Sequence, residues 1–185
     1  MYTIVGLGNP DNEYELTRHN AGRIVLREIF QLSSLRLGRI EQVSIGNKTV
    51  GILFPSSYMN ESGRDVRKLV SREDVNHMMV VYDDIDLPLG EFKLSFGRGD
   101  GGHNGLSSII AAVDTKDFIR VRVGIAKRNF WGRLLRPQGE ELSRYVLGRL
   151  SSSELSVLKK LAPSIKEALE IIVDEGVTKA MNRFN

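Results

Sequence analysis

The chain alternates two hydrophobic rhythms. Short apolar runs of strand length, 2–7, 38–45, 48–54, 77–82, 92–96 and 118–125, are separated by stretches whose apolar residues recur at helical spacing. Ala21, Ile24, Val25, Ile29 and Leu32 form one such stripe, Val66, Leu69 and Val70 a second, and Leu106, Ile109, Ile110 and Val113 a third. Gly46-Asn47, between the second and third runs, is a turn pair that predicts a β-hairpin. Ser151-Ser152-Ser153-Glu154 has capping-box spacing and opens a helix through Leu161. Pro163 must kink or split that helix, and Ile165, Ala168, Leu169, Ile172 and Val173 carry a further stripe to Gly176. The pattern predicts an α/β fold: one globular domain over residues 1–185, a central mixed twisted β-sheet flanked by helices.

The unusual polar residues fall where strands give way to helices. Gly8-Asn9-Pro10 breaks the first run and the periodicity resumes only after Asn20, so the residues between form a loop at a strand's C-terminal end. Asn20 is placed to cap the helix that follows. His19 then stands at a helix start, where the dipole favours neutral imidazole, the form that acts as a base near pH 7. Asn60 occupies another first turn, a capping position. The run 77–82 delivers Asp83-Asp84-Ile85-Asp86 at its C-terminal end, with Leu87-Pro88-Leu89-Gly90 read as the turn that follows; Asp83, first past the strand, is the acid placed to face the strand ends near His19. His77, at the strand's other end, reads as a surface residue. Gly97 to Gly105 holds five glycines in nine residues, a backbone able to approach a ligand closely, and it ends at His103-Asn104 on a helix start. Free amides there suit a phosphate or an oxyanion.

Simpler readings compete. Gly6-Leu7-Gly8 after a strand has the start of a dinucleotide fingerprint, but Asp11 stands at its third glycine and would repel a pyrophosphate. Asp83, Asp84 and Asp86 could hold Mg²⁺ as a nuclease does, although a turn lets only some of them face one point. With no cysteine there is no disulfide or thiolate site, and three scattered histidines argue against zinc. No signal segment and no apolar run of about 20 residues occurs, which predicts a cytoplasmic protein without a membrane partner.

Charge is mild overall, +3, but uneven. Residues 116–149 carry nine Lys/Arg against three Asp/Glu, a local +6 that leaves the remainder at −3, and such a tract predicts a polyanionic partner. Within it 118–125 alternates, setting Arg120 and Arg122 on one face. Residues 127–139 have no clean period, contain Phe130-Trp131, and read as a mobile flap with an exposed aromatic. A histidine base oriented by an aspartate, with no serine or cysteine to activate, has water as its nucleophile, and asparagines can position it or hold an oxyanion. An already activated bond, such as an ester of a ribose hydroxyl, needs no metal for such attack.

Ile4-Val5-Gly6-Leu7-Gly8-Asn9-Pro10, Tyr14, Thr17-Arg18-His19-Asn20-Ala21-Gly22, Met59-Asn60 with Ser62-Gly63, Asp83 to Gly90, Gly101-Gly102-His103-Asn104-Gly105 and the tail Ala180-Met181-Asn182-Arg183-Phe184 together resemble the bacterial-type peptidyl-tRNA hydrolase family. The resemblance implies metal-free, cofactor-free cleavage of the ester between a nascent peptide and the tRNA 3′ end by a monomeric enzyme. It implies His19 as general base, Asp83 as its orienting partner, and Asn9, Asn60 and Asn104 holding peptide, water and oxyanion. Tyr14, Met59, Tyr58 and His103 would border the substrate. Arg120 and Arg122, with Lys93 and Arg98, would meet tRNA phosphates. The chain departs from the family in Asp11 for a usual glycine, in Ser95 near a usual basic residue, and in the 128–139 connection. Splicing-type relatives with a similar fold only bind RNA, so an inactive RNA-binding module is the alternative.

Overall fold

A computed structural model describes all residues, Met1–Asn185. Six strands form one mixed sheet in the order β2-β3-β1-β4-β6-β5. They are β1 (Thr3–Gly6), β2 (Ile40–Ile45), β3 (Lys48–Leu53), β4 (Met78–Pro88), β5 (Phe92–Phe96) and β6 (Ile119–Ala126). β3, β1, β4 and β6 run parallel, while β2 and β5 are antiparallel edges. The parallel centre is apolar on both sides, as a sheet covered on two faces must be.

One face packs α1 (Ala21–Ile29), α5 (Ser152–Lys160), α6 (Ala162–Glu175) and α7 (Val177–Phe184) over Ile4, Met79, Val81, Val121 and Val123. The other packs α2 (Ser62–Leu69) and α3 (Asn104–Val113) over Val5, Val80 and Phe118. The seventh helix, α4 (Gly139–Val146), has no buried residue and packs Tyr145 and Val146 against the margin of the first core. The expected hairpin joins β2 to β3 with Gly46 at φ +53°. The capping box at Ser151 and Glu154 is formed, and Pro163 splits rather than kinks the helix, entering α6 in its first turn. No helix is long and apolar enough to cross a membrane.

Two close backbone approaches set the geometry of the sheet's C-terminal rim. A Cβ on Gly22 would lie 2.2 Å from the Val81 carbonyl oxygen, so only glycine lets the first turn of α1 rest on β4. A Cβ on Gly63 would lie 2.1 Å from the Ser108 carbonyl oxygen, which brings α2 equally close to α3. These contacts seat α1 on β4 and α2 on α3, directly after the loops that follow β1 and β3.

The strand expected to end at Tyr82 runs on, and the turn comes only at Leu89-Gly90. β4 continues through Asp83, Asp84 and Asp86 to Pro88, with an irregularity against β6 between Asp84 and Pro88. Different partners then separate the acids. Asp83 points to His19, Asp84 pairs with Arg122 at 2.7 Å, and Asp86 pairs with Arg136 at 3.1 Å. They do not converge on one cation.

Candidate active site

His19 sits in a single 3₁₀ turn, Arg18–Asn20, that leads into α1. Its Nδ1 lies 2.9 and 3.0 Å from the two carboxylate oxygens of Asp83, with both side chains buried. Nδ1–H donates to the carboxylate, which leaves Nε2 as the basic nitrogen. Burial disfavours the imidazolium, but Asp83's charge and hydrogen bond outweigh it and raise the His19 pKa above its ordinary value. The helix-dipole expectation of a favoured neutral ring is thus reversed: a carboxylate in contact is stronger than a partial charge at a helix end. Burial pushes the Asp83 carboxyl up, and the two histidines beside it hold it far below the usual carboxylate range.

The second of those histidines is His103, so the sequence impression of scattered histidines fails for two of three. Its Nε2 lies 2.9 Å from Asp83 Oδ1, while its Nδ1 accepts the backbone N–H of Gly105 at 3.1 Å and Leu106 at 3.3 Å, capping α3. An Nδ1 that accepts two amides carries no proton, so Nε2 holds the proton and donates it to Asp83. His19 Nδ1, Asp83 and His103 Nε2 have their ligand atoms within 4.8 Å, close enough for two-histidine, one-carboxylate metal binding. The α3 cap opposes it, because His103 Nε2 has no lone pair to give a cation. His77 is exposed, edge-on to Tyr2.

The loop after β1 is clamped from several sides. Asn20 accepts the Asn9 N–H at 2.8 Å and donates to the Asn9 carbonyl at 3.0 Å; it caps nothing, because the strand-end peptide claims its amide. Buried Arg23 donates to the carbonyls of Asn9 at 2.8 Å and Pro55 at 2.6 Å, and burial lowers its pKa to about 10. Asn9 Oδ1 accepts the Met59 N–H at 2.8 Å, which leaves the Asn9 NH₂ as its unengaged donor. Asp11, the unusual residue, accepts from the Tyr58 hydroxyl and so ties the β1 and β3 loops together; Tyr14 meets Tyr58 edge-on. Met59 is only 4% exposed and packs in the core under Gly105, a strut rather than a lining residue. Asn60 is exposed and caps no helix. Arg18 donates to Glu154 at 2.9 Å and stacks on Tyr145, anchoring the His19 turn to α4 and α5. Lys127 lies 3.1 Å from the same carboxylate. Sequence reading missed Arg18, Arg23 and Asn20 as clamps, since nothing local marks a residue whose partners are backbone carbonyls or a distant acid.

A cavity of about 470 Å³ opens between the glycine-rich loop and α4, and His19, Asp83, His103, Asn104, Arg98 and Arg122 are among the residues on its walls. The expectation for Arg120 is corrected. It is 1% exposed and donates to the Arg98 and Gly99 carbonyls, because the glycine-rich loop folds over that face of β6 and needs donors beneath it. The Tyr82 hydroxyl lies beside it, its pKa pushed up to about 12 chiefly by burial. Arg122 is half-buried on Asp84. Lys93 is exposed on the edge strand and Arg98 on the loop. Five of the nine cations in the basic tract, Arg122, Lys127, Arg128, Arg136 and Arg144, each meet a carboxylate.

A family model described as peptidyl-tRNA hydrolase matches residues 3–185. The chain belongs to the peptidyl-tRNA hydrolase family. It is 39% identical to the peptidyl-tRNA hydrolase of Syntrophotalea carbinolica, covering 100% of this chain and 97% of that one. Identity to the protein of that name from Thermosynechococcus vestitus is 40%, over 98% and 92% of the two chains. The crystal structure of peptidyl-tRNA hydrolase from Acinetobacter baumannii superposes with a TM-score of 0.84 at 30% identity, covering 100% of this chain and 94% of that one. The sheet and its helices are therefore those of the peptidyl-tRNA hydrolase fold.

Proposed function

We propose that this chain cleaves the ester joining a peptide, or an N-blocked aminoacyl group, to the 3′ end of tRNA, and so returns tRNA to use. The observation that carries the reading is the pair His19 and Asp83, joined at 2.9 Å at the edge of a cavity, with His19 Nε2 left without a protein partner. In this mechanism Nε2 takes a proton from water as the oxygen attacks the ester carbonyl, and Asp83 stabilises the imidazolium. The imidazolium then returns the proton to the departing ribose oxygen, giving a free carboxylic acid and a free 3′ hydroxyl. Asn104, exposed in the first turn of α3, donates to the developing oxyanion; the Asn9 NH₂ and Asn60 hold the peptide side. His103 donates to the same Asp83 oxygen that His19 meets, its ring centroid 5.0 Å from that of His19. Asn9, Asn60, Tyr14 and Tyr58 extend the substrate surface away from the cavity, and Arg122, Lys93 and Arg98 are the cations for tRNA phosphates. All these groups come from one chain, which fits a monomer in the cytoplasm, where its substrate arises. A module that only binds RNA has no use for a buried histidine–aspartate pair.

The test is release of free tRNA from an N-blocked aminoacyl-tRNA by the purified protein. Release that EDTA does not diminish is the expected result, and absence of release overturns the reading.

A further inference from the structure

Between β6 and α4 the chain leaves the domain as a small finger. Leu135 N–H donates to the Lys127 carbonyl and Asn129 N–H to the Arg133 carbonyl, each at 2.8 Å, while Arg128 and Leu134 bridge as antiparallel strands do. At the tip the Asn129 side-chain oxygen accepts the N–H groups of Trp131 and Arg133, both at 3.0 Å, and Gly132 turns the chain at φ +77°. The Arg128 guanidinium closes the turn on the Gly132 carbonyl at 2.9 Å. The segment without a hydrophobic period is a hairpin with its own hydrogen bonds.

That hairpin presents two aromatic rings to water. Phe130 is 95% and Trp131 80% exposed, with centroids 5.8 Å apart and planes at 88°. The surroundings are cationic. Arg128 and Arg136 reach back to Glu91 and Asp86, whereas Arg133 has no carboxylate within ion-pair distance. Asp86 also lines the His19 cavity, so the Arg136 pair fixes the finger at that cavity's mouth. Exposed ring faces beside cations match one ligand chemistry well: an unpaired nucleotide, whose base stacks on a ring and whose phosphate meets the guanidinium.

We propose that Phe130 and Trp131 form a stacking platform for unpaired bases of bound RNA, with Arg133 as its phosphate contact. The proposal rests on the reading of the substrate as an RNA ester. It extends that reading to a recognition point outside the cavity.

Trp131 is the chain's single tryptophan, so its emission reports the finger alone. The protein is titrated with a single-stranded RNA tetranucleotide, with a blunt-ended RNA duplex, and with vesicles of phosphatidylglycerol and phosphatidylcholine. Saturable quenching by the tetranucleotide, with little from the other two, is expected. In hydrolysis of N-blocked aminoacyl-tRNA, the double variant Phe130→Ala/Trp131→Ala raises KM by roughly tenfold with kcat nearly unchanged, and Trp131→Phe restores most of the loss. The same double variant leaves both constants unchanged on an N-blocked aminoacyl ester of adenosine alone, which lacks the neighbouring nucleotides that the platform would hold. Quenching by duplex or vesicles equal to that by the tetranucleotide, no quenching at all, or an unchanged KM on tRNA each overturns the platform. If the wild-type protein cleaves no ester, the hydrolase reading fails, and the tetranucleotide titration still decides the finger.

Discussion

The rim around His19 and the finger at Trp131 treat their polar and apolar groups in opposite ways. At the rim almost every reactive group is held from more than one side: Asp83 by two rings, and Asn9 by Asn20, Arg23 and the Met59 amide. At the finger the backbone is ordered but the side chains at the tip touch almost nothing except each other. The contrast teaches that the chain spends its long-range contacts where a proton must move along a fixed line. Where a flat ring need only be offered, local hydrogen bonds suffice.

The sharpest break in that comparison is His19→Ala. It should lower kcat for N-blocked aminoacyl-tRNA by at least about 10³-fold while tRNA affinity measured by filter binding stays within about twofold. Asp83→Asn comes next, with a fall of about 10²-fold and a shift in pH dependence. In the wild type, His19's raised pKa keeps the ring protonated to a higher pH than usual, so kcat/KM climbs with pH along a limb above the ordinary histidine value near 6.5. Without the carboxylate, burial alone acts on His19, and the limb must move to lower pH. A limb that stays in place would separate Asp83 from the base.

Stability runs against activity in this pair. His19, whose folded pKa is raised, stabilises the fold fully below its unfolded pKa and loses that contribution as pH rises through the folded one. Asp83, whose folded pKa is lowered, contributes above its unfolded value and loses it as pH falls through the folded one. The pair therefore supports the fold best between the ordinary carboxylate and histidine ranges, and catalysis needs the more alkaline side.

Arg23→Met tests whether the clamps matter as such. It removes two charged donors from the Asn9 and Pro55 carbonyls while keeping an unbranched side chain. It should reduce kcat/KM about tenfold and lower the urea midpoint by an amount equivalent to about 2 kcal/mol. Asn60→Ala should have the smallest effect, about two- to fivefold in KM, since its side chain is exposed and caps no helix. An unchanged KM would remove Asn60 from the substrate surface.

The architecture was legible because its signals are local and redundant. Apolar runs mark the strands, Gly46-Asn47 the hairpin, Ser151 and Glu154 a cap, and Pro163 a break. The His19–Asp83 pairing was legible for a topological reason: parallel strands put their following loops on one edge. What escaped reading depends on partners far along the chain. β4 extends through three acids because Arg122 and Arg136 answer two of them, and neither neighbour lies near in sequence. Alternation along β6 assigned Arg120 to the correct face, but it could not say that residues 97–105 would roof that face over. The finger lacks a period because its order comes from an Asn129 side chain and a glycine, which leave no repeating hydrophobic mark.

The closeness of Gly22 to the Val81 carbonyl has a dynamic consequence. With backbone resting on backbone, the first turn of α1 has no soft side chain through which to slide, so the imidazole beside it cannot swing from its carboxylate by a local opening. Amide hydrogens from Ile24 to Leu26 should accordingly exchange with deuterium only as fast as the entire domain unfolds. The reactive nitrogen then inherits the rigidity of the interior it was built against.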